Sequence, residues 1–274
     1  MYTKRAIIIL ATIILASATL SAEPVKGGLY YDQNIQASYN PLGLQFVSKL
    51  FYRAPLVKSG GILWDSTKID FGLQNNLSPG YDLIGAFVNV EPIALFSLNA
   101  TAQLAGFYKT LGYGFYSLAS YSSGFDSASL QALTPQNATG YVLSVAPTLK
   151  AAVGPISVLD TGTLTYYNVD NGQGFFYERI GNVVLGKSDS ELANSAYLLC
   201  SVMQGLYVGV NDSLTYVPSS AYLSHRLNAI AAYSGPSTGG LSFYGAFMAG
   251  TFLADRYYQY ALYIAGQFGV TMKL

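Results

Sequence analysis

The sequence predicts an all-β protein, a transmembrane antiparallel β-barrel of about 12 strands. Three observations predict this fold class. The chain begins with a segment typical of an export signal, it is poor in charge but rich in apolar and aromatic residues, and apolar residues alternate with polar or small ones over segments of about ten residues.

Residues 1–22 are typical of a signal peptide that precedes a single barrel domain, residues 23–274. Two basic residues come before an apolar run, residues 6–15, and small residues follow it. We expect cleavage after Ala22, with Ala18 as the alternative. The run is shorter than the roughly 20 residues of a membrane-spanning helix, so we expect the segment to be removed from the mature protein.

The composition favours a membrane protein and argues against a nucleic-acid partner. Charged residues make up 10% of the chain, against about 25% in soluble domains, and 51% of the residues are apolar. The 24 tyrosines suit strands that end at a membrane interface, where the ring is buried and the hydroxyl is hydrated. Without residues 1–22, the chain carries 12 Lys and Arg against 14 Asp and Glu, whereas a nucleic-acid partner calls for a basic surface.

Alternation is clearest at the C-terminus, residues 258–274. Its odd positions are mostly polar or small, which fits a lumen, and its even positions suit lipid. The even positions are Tyr258, Tyr260, Leu262, Ile264, Gly266, Phe268, Val270, Met272 and Leu274.

Similar patterns predict twelve strands, an even number as in most bacterial barrels. We place them at residues 42–53, 63–75, 82–91, 94–108, 142–153, 155–168, 174–184, 193–203, 205–217, 222–234, 242–253 and 258–273.

The connections predict which end of the barrel faces which side. The short turns at Glu91-Pro92 and Gly154-Pro155 suit the periplasmic side, and residues 110–140 then form an external loop that folds into the lumen or projects outward. Strand counting from either terminus contradicts this sidedness. We therefore expect one unrecognised strand within residues 23–40 and one miscounted strand after Tyr167.

Five charged residues fall on polar rows and are candidates for the lumen: Lys68, Asp70, Lys150, Arg226 and Lys273. Four cations against one carboxylate would make the interior mildly positive and would favour small anionic solutes. The alternative is that these side chains pair with polar neighbours and fill a narrow barrel.

Other charges fit the pattern less well. Asp160 and Asp212 interrupt rows that are otherwise apolar. Glu178 and Arg179, near a predicted strand end, are expected to form an exposed or interfacial ion pair.

The sequence gives little support for catalysis, so we expect no enzyme, no cofactor, no metal site and no catalytic residue. Cys200 is the sole cysteine of the chain, so an intrachain disulfide is excluded. His225 is the sole histidine, and its neighbour Ser224 would point to the opposite face of a regular strand. The two cannot form a nucleophile and base dyad there, and His225 is expected on the lipid-facing row.

Three short segments, residues 91–98, 147–155 and 225–233, resemble an unnamed family of uncharacterised Gram-negative outer-membrane β-barrel proteins. The resemblance implies a barrel in the bacterial outer membrane, with membrane lipids and the outer-membrane assembly machinery as partners. It implies no activity and no site residue.

These observations lead to one functional expectation and its alternatives. We expect a pore or channel for small solutes with a mildly basic lumen. A non-conducting structural or adhesive surface barrel, carrying residues 110–140 as its contact loop, is the alternative. A lipid-modifying enzyme is the least favoured function, and a soluble secreted or periplasmic β-protein is the rival fold.

Overall fold

The computed structural model describes residues 25–57, 61, 63–109, 114–170 and 174–274, and the predicted signal peptide lies outside them. Twelve of the described strands form one closed antiparallel barrel, as the sequence predicts. They are β1 (Gly28–Tyr39), β2 (Gly43–Pro55), β3 (Lys68–Ser78), β4 (Tyr81–Ile93), β5 (Phe96–Phe107), β7 (Ala138–Val153), β8 (Ile156–Asp170), β11 (Ser188–Met203), β12 (Leu206–Val217), β13 (Tyr222–Ser234), β14 (Leu241–Ala254) and β15 (Leu262–Lys273).

Each barrel strand pairs with the barrel strands that precede and follow it in the chain, and β1 closes the barrel against β15. Tight turns join many of these strands. Gly154 and Gly205 adopt positive φ angles of 58° and 77° in two of them, a conformation that glycine reaches without strain.

The predicted number of strands is correct because two errors in the predicted list cancel: one barrel strand is missing from it, and one segment in it is not a barrel strand. Strand β1 confirms the further strand expected within residues 23–40. It is absent from the predicted list because polar side chains lie on both of its faces, including the outward Gln33, which accepts hydrogen bonds from Tyr31 and Ser48. The predicted strand at residues 174–184 is wrong as a barrel strand. That segment forms the hairpin of β9 (Phe175–Glu178) and β10 (Val183–Gly186) in the mouth of the barrel.

The two ends of the barrel differ. One end, here called the terminal end, holds the start of β1, the end of β15 and the short turns at residues 94–95 and 154–155. The opposite end, called the loop end, holds the two long connections between β5 and β7 and between β8 and β11. The short turns therefore share the end of the termini, as predicted, although β4 continues through Pro92 with a register shift between Val90 and Ile93.

The outer surface is an apolar band between two zones rich in aromatic residues. Outward side chains such as Leu104, 68% exposed, alternate with buried inward ones along the strands. Tyr39 and Tyr141 lie near the loop end of the band, and Tyr52 and Tyr233 near the terminal end. An apolar belt with aromatic girdles is the exterior of a transmembrane barrel.

The alternation predicted for the last strand holds from Leu262 to Met272, where even residues face outward. It fails before Leu262. Tyr258 packs its ring on the buried Phe252 at 5.5 Å instead of facing lipid, because the strand has not yet begun.

A plug fills the mouth at the loop end. It consists of β6 (Ser117–Leu118), which pairs with β9 in a three-stranded sheet with β10, and the short helix α1 (Ser127–Gln131). Asp126 caps α1 by accepting hydrogen bonds from the N–H groups of Ala128 and Ser129. Among the described residues, no helix is both long and apolar enough to cross a membrane.

Candidate functional site: the barrel lumen

The plug is packed like a protein core against the barrel wall. Phe176, on β9, is fully buried and stacks on Phe115 with ring centroids 5.1 Å apart. Its other side meets Tyr167 of barrel strand β8 at 6.3 Å. The remaining fully buried apolar side chains of this core are Phe125, Val169, Val183, Leu185 and Val217. The loop predicted at residues 110–140 therefore folds inward over residues 114–125, whereas α1, which follows, has no buried residue.

A buried carboxylate at the rim connects the plug to the barrel. Asp189, at the start of β11, accepts hydrogen bonds from the Tyr121 hydroxyl at 2.9 Å and from the Gly186 N–H at 2.8 Å, both in the two long connections. It also accepts one from the hydroxyl of Ser219, in the β12–β13 turn, at 2.7 Å. Three segments thus share one acceptor, which fixes the plug in the mouth.

The β9–β10 hairpin carries its tip, residues 179–182, into the lumen. Glu178, 7% exposed, accepts a hydrogen bond from the N–H of Ile180 at 3.0 Å and another from Gly181. The predicted exposed ion pair is therefore wrong for Glu178, which is buried by the plug. Burial raises the pKa of this carboxyl, and the two backbone donors oppose that shift.

Beside the plug, the lumen contains a cavity of about 420 Å³. It reaches from Ser38 and Gln45, near the loop end, to Ile230 and Ala232 on the terminal half of β13. The hairpin tip contributes Arg179 and Ile180, and Arg226 comes from β13. Most of the remaining lining is apolar or aromatic, including Leu159, Leu199, Ala246, Met248 and Tyr263.

Arg226 is held against the cavity wall by aromatic rings. Its guanidinium carbon lies 4.4 Å from the ring centre of Tyr263 and 5.6 Å from that of Phe252, and Nη2 donates to the Ser213 hydroxyl at 3.4 Å. Ring faces stabilise a cation without neutralising it. The arrangement presents a fixed positive charge to an otherwise largely apolar chamber.

An ion-pair network occupies the interior at the terminal end, on the side of β2 to β7. Arg53 binds both oxygens of Asp70, with N–O distances of 2.7 and 2.8 Å. Glu91 lies between Lys150 at 3.0 Å and Lys68 at 3.6 Å. These side chains lie close enough to largely neutralise one another.

Further cations extend this network around an aromatic cluster. Lys49 lies 5.1 Å from the ring centre of Phe87, and Lys273 lies 6.0 Å from that of Tyr30. Asp32, on β1, accepts a hydrogen bond from the Thr271 hydroxyl at 2.6 Å. The sequence reasoning missed Lys49, Arg53, Asp32 and Glu91, although Lys49 and Arg53 share one parity along β2 and alternate with outward apolar residues.

The structure places all five candidate residues on inward-facing rows, with Lys273 exposed at the terminal end, but does not bring them together around one chamber. Lys68, Asp70 and Lys150 belong to the ion-pair network, and Lys273 lies near Tyr30 at the terminal end. Arg226 is the one member of the five that lines the cavity.

The residues considered for catalysis lie on the outer surface or are separated across the wall. His225 shares the outward row of Leu223 and Leu227, whereas Ser224 is buried on the inner face. Cys200 is a free, half-buried residue on the outward row of β11. Among the described residues, no three His, Cys, Asp or Glu side chains are grouped so that they could hold a metal ion.

No protein-family model and no curated protein matches this sequence. Solved structures of similar fold include the β domain of the Bordetella autotransporter BrkA, with 10% identity over 91% of this chain and 100% of that chain, at a TM-score of 0.49. An outer-membrane channel from Pseudomonas putida F1 shares 11% identity over 92% of this chain and 98% of that chain, at a TM-score of 0.47. The NanC porin shares 9% identity over 89% of this chain and 100% of that chain, at a TM-score of 0.43.

The closed antiparallel barrel, its apolar belt and its aromatic girdles define the class: the chain is a β-barrel protein of the bacterial outer membrane. Within this class, it is a twelve-stranded barrel whose loop end is filled by segments of its own chain and whose lumen keeps a cavity beside that plug.

Proposed function

We propose that the protein is a narrow, selective channel for small anionic solutes. The single observation that carries this proposal is the cavity beside the plug, with Arg226 in its wall. In this proposal, the terminal end of the barrel faces the periplasm, as in barrels whose short turns lie on that side, and the plug faces the exterior. The proposal involves no catalysis and no cofactor.

The size and lining of the cavity indicate the class of solute. A volume of about 420 Å³ lies within the range of about 300–1,000 Å³ of small-molecule sites. A guanidinium presents a planar fork of N–H donors that matches a carboxylate or a phosphate. The apolar remainder of the lining suits a compact organic anion with an apolar body better than a highly hydrated inorganic ion.

The ion-pair network is a less suitable place for solute binding. Its carboxylates and cations already satisfy one another, and a solute would have to displace a pair such as Arg53 with Asp70. Separation of a partly buried pair leaves an uncompensated charge behind. Selectivity in this proposal therefore comes from Arg226, with Arg179 of the hairpin tip beside the same cavity.

The test is single-channel recording of the refolded barrel in a planar bilayer with a salt gradient. We expect small conductance steps whose reversal potential shows anion preference, and we expect Arg226→Gln to reduce that preference. Lys187→Gln is the matched control, because Lys187 lies outside the lumen in a loop-end ion pair with Asp170 at 2.9 Å. Equal effects of the two substitutions would contradict a role for the cavity.

A non-conducting surface barrel is the second candidate, and the packed plug is the observation that favours it. Under this alternative, the wild-type protein shows no conductance steps, and none appear after the plug is loosened by Phe176→Ala. Discrete steps that appear when the plug is loosened would instead support a channel whose opening the plug limits.

A further inference from the structure

A polar ribbon crosses four neighbouring strands on the outer surface of the barrel. Asp160 of β8 accepts a hydrogen bond from the Asn194 side chain of β11 at 2.7 Å. Asp212 of β12 accepts one from the His225 ring of β13, with Oδ1 and Nε2 2.7 Å apart. Ala196 of β11 is the register partner of both Asp160 and Asp212, so it links the two pairs.

The ribbon lies inside the apolar band and not at its edge. Along β8, Asp160 comes between the outward Val158 and Leu164, and along β12, Asp212 comes between Val210 and Leu214. In the described barrel strands, the other outward carboxylates, those of Asp82 and Asp170, lie at the loop end.

Lipid is a poor neighbour for these groups. The Asp212 side chain is 54% exposed on the outer face, and an ionisable group surrounded by acyl chains has lost its water without gaining a partner. Each of the two carboxylates accepts one side-chain hydrogen bond within the described part of the chain, whereas a carboxylate has about four acceptor positions. The ribbon therefore has unused capacity for a polar partner.

The floor of the ribbon allows a close approach. Ala196 lies at its centre, and a Cβ atom built on Gly162, the register partner of Asn194, would meet no atom within 4 Å. Small residues on a membrane-facing surface let two backbones come close together. Polar groups above a shallow floor are typical of a protein contact within a membrane.

We propose that this ribbon is the contact between two copies of the chain, arranged side by side in the membrane around a two-fold axis. The Asn194 Nδ2 atom donates one N–H to Asp160 at 2.7 Å, and its other contact, with the Thr161 carbonyl oxygen, is long at 3.5 Å. The ribbon is self-complementary, because one half offers this second N–H and the other half offers the Asp212 acceptor. In an isologous contact, each copy supplies both halves.

The tilt of the strands brings the two halves to one height. Barrel strands tilt by about 35–45°, so the row from Asp160 through Ala196 to Asp212 climbs toward the loop end. Asn194 lies two residues beyond Ala196 in that direction and is therefore level with Asp212. A two-fold axis beside Ala196 then sets Asp212 against the partner's Asn194, and a polar chain runs through both copies.

Cross-linking tests the geometry in the native membrane. The variant Ala196→Cys in a Cys200→Ser background places one thiol beside the proposed axis, and a short bismaleimide should link it to a product of twice the chain mass. Ala86→Cys in the same background is the matched control, because Ala86 faces outward on β4, away from the ribbon, and it should give no product. Equal yields from both positions, or a product of any other mass, would overturn the proposal.

A second measurement does not depend on the cross-linker. The oligomeric state of the full protein, extracted in mild detergent, should be a dimer, and Asp212→Leu should convert it to a monomer that keeps its heat-modifiable barrel. Asp82→Leu, which removes an outward carboxylate at the loop end, should leave the dimer intact. A monomeric wild-type protein, or a dimer that survives Asp212→Leu, would show that the ribbon does not hold two copies together.

Discussion

The substitution Phe176→Ala should separate the stability of the plug from that of the barrel. The ring of Phe176 is fully buried between Phe115 on the plug and Tyr167 on the wall. Removal of such a buried ring costs about 3–5 kcal/mol. Because about 1.4 kcal/mol is a factor of ten, the form with the plug packed in the mouth should lose roughly a thousandfold in population relative to the form with the plug released. The twelve-stranded hydrogen-bond network of the wall is untouched, because Phe176 belongs to no barrel strand.

Limited proteolysis under native conditions measures this loss. We expect cleavage within residues 114–137 and 174–187 to accelerate strongly in Phe176→Ala, while the mobility shift of the heated barrel on gels stays as in the wild type. Phe71→Ala is the control, because Phe71 is half exposed on the outer face of β3 and touches no plug residue in the packed core. Unchanged cleavage in Phe176→Ala, or loss of the barrel at the same denaturant concentration as the plug, would refute independent plug stability.

Three further expectations concern the interior of the barrel. Burial raises the pKa of the Glu178 carboxyl above its ordinary value of 4.5. The contribution of protonation to plug stability is therefore complete below pH 4.5 and is lost as the pH rises through the raised pKa. Glu178→Gln should flatten the dependence of protease protection on pH. Asp70→Leu should lower the free energy of unfolding by at least about 2 kcal/mol, because it leaves Arg53 without its bidentate partner, and the double variant with Arg53→Met should recover much of the loss in urea titrations. Gly85→Ala should destabilise the barrel in the same titrations, since its Cβ would lie 2.0 Å from the Ala102 carbonyl oxygen, whereas Gly106→Ala, whose Cβ would meet only the Asp82 carbonyl oxygen at 3.9 Å, should be nearly neutral.

Alternation in the sequence was enough to predict the fold class, because a membrane barrel forces the two faces of each strand into different solvents. It identified β3, β7 and β12 from single rows such as Ile69, Phe71 and Leu73. It failed for β1, where Gln33 places a polar side chain on the lipid face and bonds to Ser48 of the next strand. A period-two signal cannot represent polar pairs that satisfy each other across strands.

The same limit explains the errors in the plug and the lumen. Residues 175–186 contain two short apolar runs, residues 175–177 and 183–185, of a kind that buried strands also have. Nothing local distinguishes a strand of the wall from a hairpin inserted into the mouth. Parity correctly placed Lys68 and Lys150 inside, but it could not show that Glu91, predicted as part of a turn, lies between them. Pairing of interior charges depends on the register between strands, which the sequence alone does not give: Lys68 lies opposite Glu91 on the adjacent strand, whereas Lys150 reaches Glu91 across β5.

The position of the cavity follows from how the interior charges are satisfied. A twelve-stranded barrel encloses more space than an eight-stranded one, and side chains, plug or solvent must occupy it. On the side of β2 to β7, long cations and carboxylates reach one another and form ion pairs. On the opposite side, Arg226 is held by the faces of Tyr263 and Phe252, which fix its position, and among the described residues it forms no ion pair as close as that of Arg53 with Asp70. Attraction for an anion is therefore strongest beside Arg226, where the barrel also has room for an anion. Loss of a paired cation such as Lys68 should alter the stability of the barrel more than its selectivity for anions.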